Sequence, residues 1–208
     1  MKNKWAVPLI LSVCCLMGCH SKNILSTPQL SVKVVESIPN TSAPDWVNST
    51  TEFWEAKGYY YYRGTAEGMT NLEAAKRAGN ASARTNMAEQ VKSTIRSEFA
   101  RALEAGNYDD STGGYLKDVF FSAVDNLTVN GIVMQETYLQ RLLESDGLQE
   151  RMYYRAYVLA RISVQDYNGV VKRAFTDTKA QVQANKSAKE LVKETEARFW
   201  GNQGEDKQ

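Results

Sequence analysis

The chain has 208 residues, and its 25 Lys and Arg nearly cancel its 24 Asp and Glu, so no charge surplus favours nucleic acid. Its one histidine, His20, and its three cysteines, Cys14, Cys15 and Cys19, all lie near the N-terminus. The rest of the chain therefore offers no imidazole for Ser–His or Cys–His catalysis, no His- or Cys-ligated metal site and no disulfide.

The N-terminus is the most specific segment. Lys2 and Lys4 precede an apolar run from Ala6 to Met17. That run is shorter than the roughly 20 residues a helix needs to span a bilayer, and it reads as an export signal, residues 1–18. Leu16-Met17-Gly18-Cys19 resembles a bacterial lipobox. The resemblance implies cleavage between Gly18 and Cys19, diacylation of the Cys19 sulfur and acylation of the new amino group. Two acyl chains give stable anchoring where one is marginal. Removing 18 residues with two lysines leaves 208 − 18 = 190 residues of charge (25 − 2) − 24 = −1. The implied partner is a membrane, reached through lipid, and not nucleic acid. His20 follows the lipidated cysteine, whereas Asp there would resemble an inner-membrane retention signal, so the expected destination is the outer membrane.

Residues 19–43, rich in Ser, Thr, Pro, Lys and Asn, read as a lipidated tether, with a short strand at Leu30–Val35 as the alternative. Pro44-Asp45-Trp46-Val47 starts the compact region, and Trp46, Phe53 and Trp54 read as rings at the edge of its core. Tyr59 to Ala66 is an aromatic strand, with Gly64 permitting close packing or a bulge. Thr70-Asn71-Leu72-Glu73 fits a capping box, with Thr70 as N-cap. The helix it opens runs to about Phe99, its buried side passing through Leu72, Ala75, Gly79, Ala83, Met87, Val91 and Ile95. Gly106 to Gly114 reads as a polar loop whose Asp109-Asp110 pair lacks calcium-loop spacing.

Leu116, Val119, Phe120, Ala123 and Leu127 then recur at helical spacing. Ile132–Leu143 and the run ending at Val164 read as a hairpin turning at Ser145-Asp146-Gly147. Its second arm puts Tyr154, Ala156, Val158, Ala160, Ile162 and Val164 on one face. Residues 166–200 read as one extended C-terminal helix and 201–208 as a disordered tail. The sum is an α+β domain over 44–165: a small antiparallel sheet of about three strands packed by long helices.

The lipobox at Cys19, the Pro44-x-Trp46 start, the strand ending Arg63-Gly64-Thr65-Ala66, the Ala-spaced helix from Leu72 and the strand Tyr153–Val164 together resemble the Lpp-twenty family of membrane-associated lipoproteins, which includes FlgP-type flagellar proteins. The resemblance covers roughly 44–165 and implies an α+β domain related to the N-terminal domain of FlgT. It also implies attachment to the outer membrane, and for some members a place in rings around the flagellar motor. Beyond Cys19 it transfers no functional residue.

No GxxxxGK[ST] or GxGxxG pattern is present, and no acidic pair has a distinctive setting, although carboxylate-pair chemistry stays formally open. The expectation is a noncatalytic outer-membrane lipoprotein, without metal or cofactor. Its role would be structural or scaffolding, in contact with envelope proteins or with copies of itself. The alternative is a module binding peptidoglycan or another glycan, with Tyr59, Tyr61, Tyr153 or Tyr157 as stacking platforms.

Overall fold

The computed structural model describes residues 30–106 and 108–205, so Gly18, Cys19 and His20 lie outside the described residues. The architecture is α+β, built on one antiparallel sheet of five strands in the order β1-β4-β5-β3-β2. The strands are β1 (Ser31–Ile38), β2 (Phe53–Ala56), β3 (Tyr59–Met69), β4 (Val133–Ser145) and β5 (Glu150–Ser163). The expected three strands form the centre, and two short edges complete the sheet. One edge, β1, comes from the presumed tether, where Val32, Lys33 and Val34 alternate and pair with β4. The other edge, β2, is four residues long and folds back onto β3, with Phe53 opposite Tyr62 and Trp54 opposite Tyr61.

Register assigns the faces. Tyr60 opposes Ile162, Tyr62 opposes Ala160 and Gly64 opposes Val158. These residues point toward α2 (Leu72–Glu104), which crosses β3 and β5. Ala75, Gly79, Ala83, Met87, Val91 and Ile95 are buried as the spacing predicts, and the buried side continues through Phe99, Ala102 and Leu103. The N-cap is Asn71 rather than Thr70, because the Asn71 side chain reaches the Ala74 N–H at 2.8 Å. At Gly64 the sheet and helix come so close that an added Cβ would stand 2.5 Å from Ala83 Cα.

Three more helices complete the layer: α3 (Asp110–Asn126), α4 (Val164–Gln181) and α5 (Lys186–Glu205). The expected polar loop is largely the start of α3. Asp109 caps it by accepting from the Thr112 N–H at 2.9 Å, so Gly113 and Gly114 lie inside the helix. The expected single C-terminal helix is broken after Gln181. Val182 is buried in the core there, and Asn185 caps α5 by accepting from Ala188 N–H at 3.1 Å. The break folds α5 back against α4 and α2, and the helix reaches Glu205, inside the expected disordered tail. Val164 begins α4 instead of ending the apolar face of β5.

Aromatic rings join the helices. Phe99 stacks on Phe120 with centroids 3.7 Å apart, and Phe175 sits across both. Phe199 meets Phe175 edge-on at 5.5 Å. One aromatic cluster thus ties α2, α3, α4 and α5 into a single core, and its ring pairs add to what area burial supplies.

A short α1 (Asp45–Asn48) and the segment around it lie on the other side of the sheet. Val47 is buried there, and the Arg63 guanidinium donates to the Val47 carbonyl at 2.8 Å and to the Ser49 carbonyl. Two backbone carbonyls, one in α1 and one at its C-cap, gain a charged donor, which fixes this lead-in to β3.

Candidate functional site

The face of the sheet turned away from α2 carries all four tyrosines expected as platforms. Tyr61 opposes Arg161 and Tyr157 opposes Thr65, with Tyr59 and Tyr153 in phase on the same side. The sheet brings Tyr59 and Tyr61 together, ring centroids 6.2 Å apart. It does not bring Tyr153 to them. Tyr59 opposes Ser163, ten positions along β5 from Tyr153, which is about 33 Å at the usual strand rise.

Two of the four are also covered, a correction to the expected row of free platforms. Tyr61 is 9% exposed and stacks on Trp54 at 5.5 Å. Tyr153 is 4% exposed, and its hydroxyl donates to Glu67 at 2.9 Å. The half-buried pair have partners as well: the Arg161 guanidinium lies 4.3 Å from the Tyr59 ring, and Tyr157 packs against Tyr138 at 6.4 Å. Alternation identified the face correctly, but periodicity carries no information about which of its rings the neighbouring strands cover, Trp54 of β2 over Tyr61 and Glu67 of β3 against Tyr153.

The rings that frame an open space are Trp46 and Trp54. With Asp45, Ser49 and Thr51 they line a shallow hollow of about 450 Å³. Trp46 is held by its indole N–H, which donates to Glu136 at 2.6 Å, and Trp54 by its stack on Tyr61. Two fixed indoles beside a carboxylate and two hydroxyl side chains suit a ligand with an apolar face and a polar rim. The sequence marked both tryptophans only as core edge.

Glu67, Arg155, Tyr153 and Tyr157 form a linked group of titratable side chains on this face. Arg155 is paired with Glu67 and also donates to the Tyr157 hydroxyl at 3.4 Å. The Arg155 hydrogen bond pulls the Glu67 carboxyl below the usual carboxylate range, while burial and Glu67 push the Tyr153 phenol up. Both shifts move the groups away from neutrality, the opposite of what general acid–base work asks for. The group braces the sheet.

A second hollow of about 410 Å³ lies between α2 and α3, lined by Ala100, Leu103, Glu104, Tyr108, Gly113 and Lys117 among others. At its rim Asp109 is pulled down to about 2, chiefly by the Thr112 backbone hydrogen bond and then by the Ser111 side chain. That is the behaviour of a helix cap. Among the described residues no cluster of three or more His, Cys, Asp or Glu has the spacing to hold a metal ion, and no helix is long and apolar enough to cross a membrane. No family model, curated protein or solved structure matches the chain.

Proposed function

We propose that the chain is a noncatalytic outer-membrane lipoprotein, anchored through Cys19, whose α+β body has a structural or scaffolding role in an envelope assembly. The observation that carries this reading is the basic, apolar, Gly18-Cys19 sequence at the N-terminus. Support comes from the body itself. Strand β1 begins at Ser31, so only a short length of chain separates the anchored cysteine from the sheet. Kinship with the Lpp-twenty family belongs to the same proposal, with the flagellar motor as one envelope setting for the assembly.

Cys19→Ser tests the anchor. It removes the acylated thiol from a position outside the domain, so the body should fold normally. The variant should take up no lipid label and leave the membrane fraction. Continued labelling, or full retention in membranes, refutes the anchor. Crosslinking in intact envelopes followed by co-purification tests the scaffolding role, and motility of a deletion strain tests the flagellar setting.

The hollow between Trp46 and Trp54 favours a second reading, a module that binds peptidoglycan or another glycan. Sugar rings have an apolar face that stacks on indole and hydroxyls that reach Asp45, Ser49 and Thr51. Retention of the purified protein on isolated sacculi, lost in Trp46→Ala with its circular dichroism unchanged, would support it. Equal retention of both proteins, or none, rejects it.

A further inference from the structure

Among the described residues, eight large apolar side chains are exposed, and six of them lie at one end of the sheet: Leu30, Val32, Val34, Val35, Leu148 and Met152. Single exposed leucines are ordinary on protein surfaces, but clustering of this kind marks a contact. Leu148 is 85% exposed, at the tip of the turn between β4 and β5. That turn is firmly built. The Asp146 carboxylate accepts from the Leu148 N–H at 2.9 Å and the Gln149 N–H at 2.7 Å, and Gly147 supplies the positive φ of 85°. Met152, 53% exposed, and Leu30, 61% exposed, flank the tip.

The same end of the sheet receives the N-terminal chain. Ser31 opposes Ser145, and its hydroxyl donates to the Ser145 carbonyl at 3.3 Å, so the polypeptide arriving from Cys19 enters beside this turn. Twelve residues of chain reach at most about 43 Å when fully extended. The opposite end of the sheet, at Ser163, lies thirteen positions along β5 from Glu150, a further distance of about 43 Å. The chain from Cys19 therefore enters at the apolar end, and only a nearly fully extended tether running back along the sheet would bring its lipid to the other end.

We propose that this end of the sheet, with Leu148 at its tip, rests on the bilayer that holds Cys19, its apolar side chains entering the headgroup–acyl boundary. The contact rests on the anchor reading above. Nearby charges are of both signs, Lys33 and Arg151 against Glu144, Asp146 and Glu150, so the lipid chemistry recognised is apolar rather than anionic. A small apolar tip is a weak binder on its own. The tether holds it at high effective concentration over the membrane, which makes the contact persistent and fixes the orientation of the body.

The test uses the full-length lipidated protein purified from membranes and reconstituted in phosphatidylcholine vesicles. An environment-sensitive nitrobenzoxadiazole dye is placed on Leu148→Cys, on Met152→Cys (which keeps Leu148) and on Gln165→Cys, an exposed position at the far end of the sheet. Cys14 and Cys15 leave with the signal and the Cys19 sulfur is blocked by its thioether to the diacylglyceryl group, so only the added thiol reacts. The dyes at 148 and 152 should emit blue-shifted and be quenched several-fold more by doxyl-labelled lipid than the dye at 165, with no dependence on salt. Acylated protein whose three dyes all report water overturns the contact and leaves the anchor standing. A blue shift at 148 without doxyl quenching means burial against another copy of the chain, and also overturns it. An intact mass lacking acyl chains overturns the anchor and this contact with it.

Discussion

The closest approach between the sheet and α2, at Gly64, yields the most demanding prediction. A Cβ added there would stand 2.5 Å from both Cα and Cβ of Ala83 and 2.8 Å from its nitrogen. Carbon atoms pack best at about 3.5–4.0 Å, so α2 must withdraw by about 1 Å for Gly64→Ala to fit. No rotamer change relieves the clash, because the atoms met are backbone and a Cβ. A gap of that size along a rigid helix forfeits a quarter to a half of each dispersion contact it opens. The affected neighbours include Ala75, Met87 and Val91, all fully buried. Overpacking typically costs about 1–3 kcal/mol, and the upper part of that range applies here. Stiffening of the unfolded chain returns only about 0.4–1 kcal/mol.

The expected net loss is about 2 kcal/mol, a melting temperature lower by roughly 4–8 °C for a chain of this size. Gly79→Ala is the internal control. Its added Cβ would meet side-chain methyls, Val158 Cγ2 at 2.9 Å and Ala156 Cβ at 3.0 Å. Helix propensity returns about 1 kcal/mol there, so the net change should stay below about 1 kcal/mol. Urea and thermal unfolding followed by far-ultraviolet circular dichroism, in the Cys19→Ser background, measures both. Gly64→Ala melting within 1 °C of its parent, or Gly79→Ala proving the more damaging, would refute the packing argument.

Phe120 is fully buried between Phe99 and Phe175, and Phe120→Ala should cost about 3–5 kcal/mol in urea unfolding. The Tyr167 hydroxyl donates to Glu98 at 2.7 Å, so Tyr167→Phe should cost about 2 kcal/mol, the value of a bond to a charged acceptor. Burial, then Glu98, raises the Tyr167 pKa above its ordinary 10.0. The unfolded chain therefore releases this proton first. The stability is complete below pH 10 and declines above it, by up to about 1.4 kcal/mol per pH unit for each such tyrosine. Tyr167→Phe should flatten that alkaline decline, and an unchanged slope argues against a buried, neutral Tyr167. Glu67 has the opposite sign. Its folded pKa is lowered from 4.5, so its contribution is present above pH 4.5 and lost as acid protonates the folded carboxylate. Glu67 is half exposed and screened, so Glu67→Gln should cost only about 0.5 kcal/mol at neutral pH and remove that share of the acid sensitivity.

Long, strongly periodic elements were legible in the sequence. The buried stripe of α2 and the alternation of β5 each repeat over many turns or residues, and one wrong register would bury their polar faces. The shorter elements were not. Strand β2 has four residues, too few to show a period, and its partner is chosen by the turn at Lys57 and Gly58. The break between α4 and α5 carries no Gly or Pro, and the buried side of α5 runs through Ala188, Val192, Thr195 and Phe199. Alanine and threonine are weak markers of burial, so the pattern did not show that a second helix packs back on the core. Thr195 is accommodated there because its hydroxyl donates to the Leu191 carbonyl at 2.8 Å, which removes the cost of an unmet polar group.

The candidate site shows the same limit more sharply. Alternation places Tyr59, Tyr61, Tyr153 and Tyr157 on one face, and that much follows from backbone geometry alone. Which rings stay open depends on where residues 39–51 travel, and they cross the face because Arg63 holds the Val47 and Ser49 carbonyls. An arginine beside a glycine in a tyrosine-rich strand does not announce that role. Pairing of β2 with β3 covers Tyr61 with Trp54, and the docked lead-in sets Trp46 beside Trp54 around open space. Arg63 is thus the residue on which the hollow depends, although the hollow's lining does not include it. Arg63→Met keeps much of the apolar stem and removes both carbonyl contacts. It should loosen the 39–51 segment, seen as faster amide exchange at Val47 and Ser49, with the α2 core still protected. Unchanged exchange in that segment would mean that Val47 burial and the Trp46–Glu136 bond hold the lead-in without Arg63.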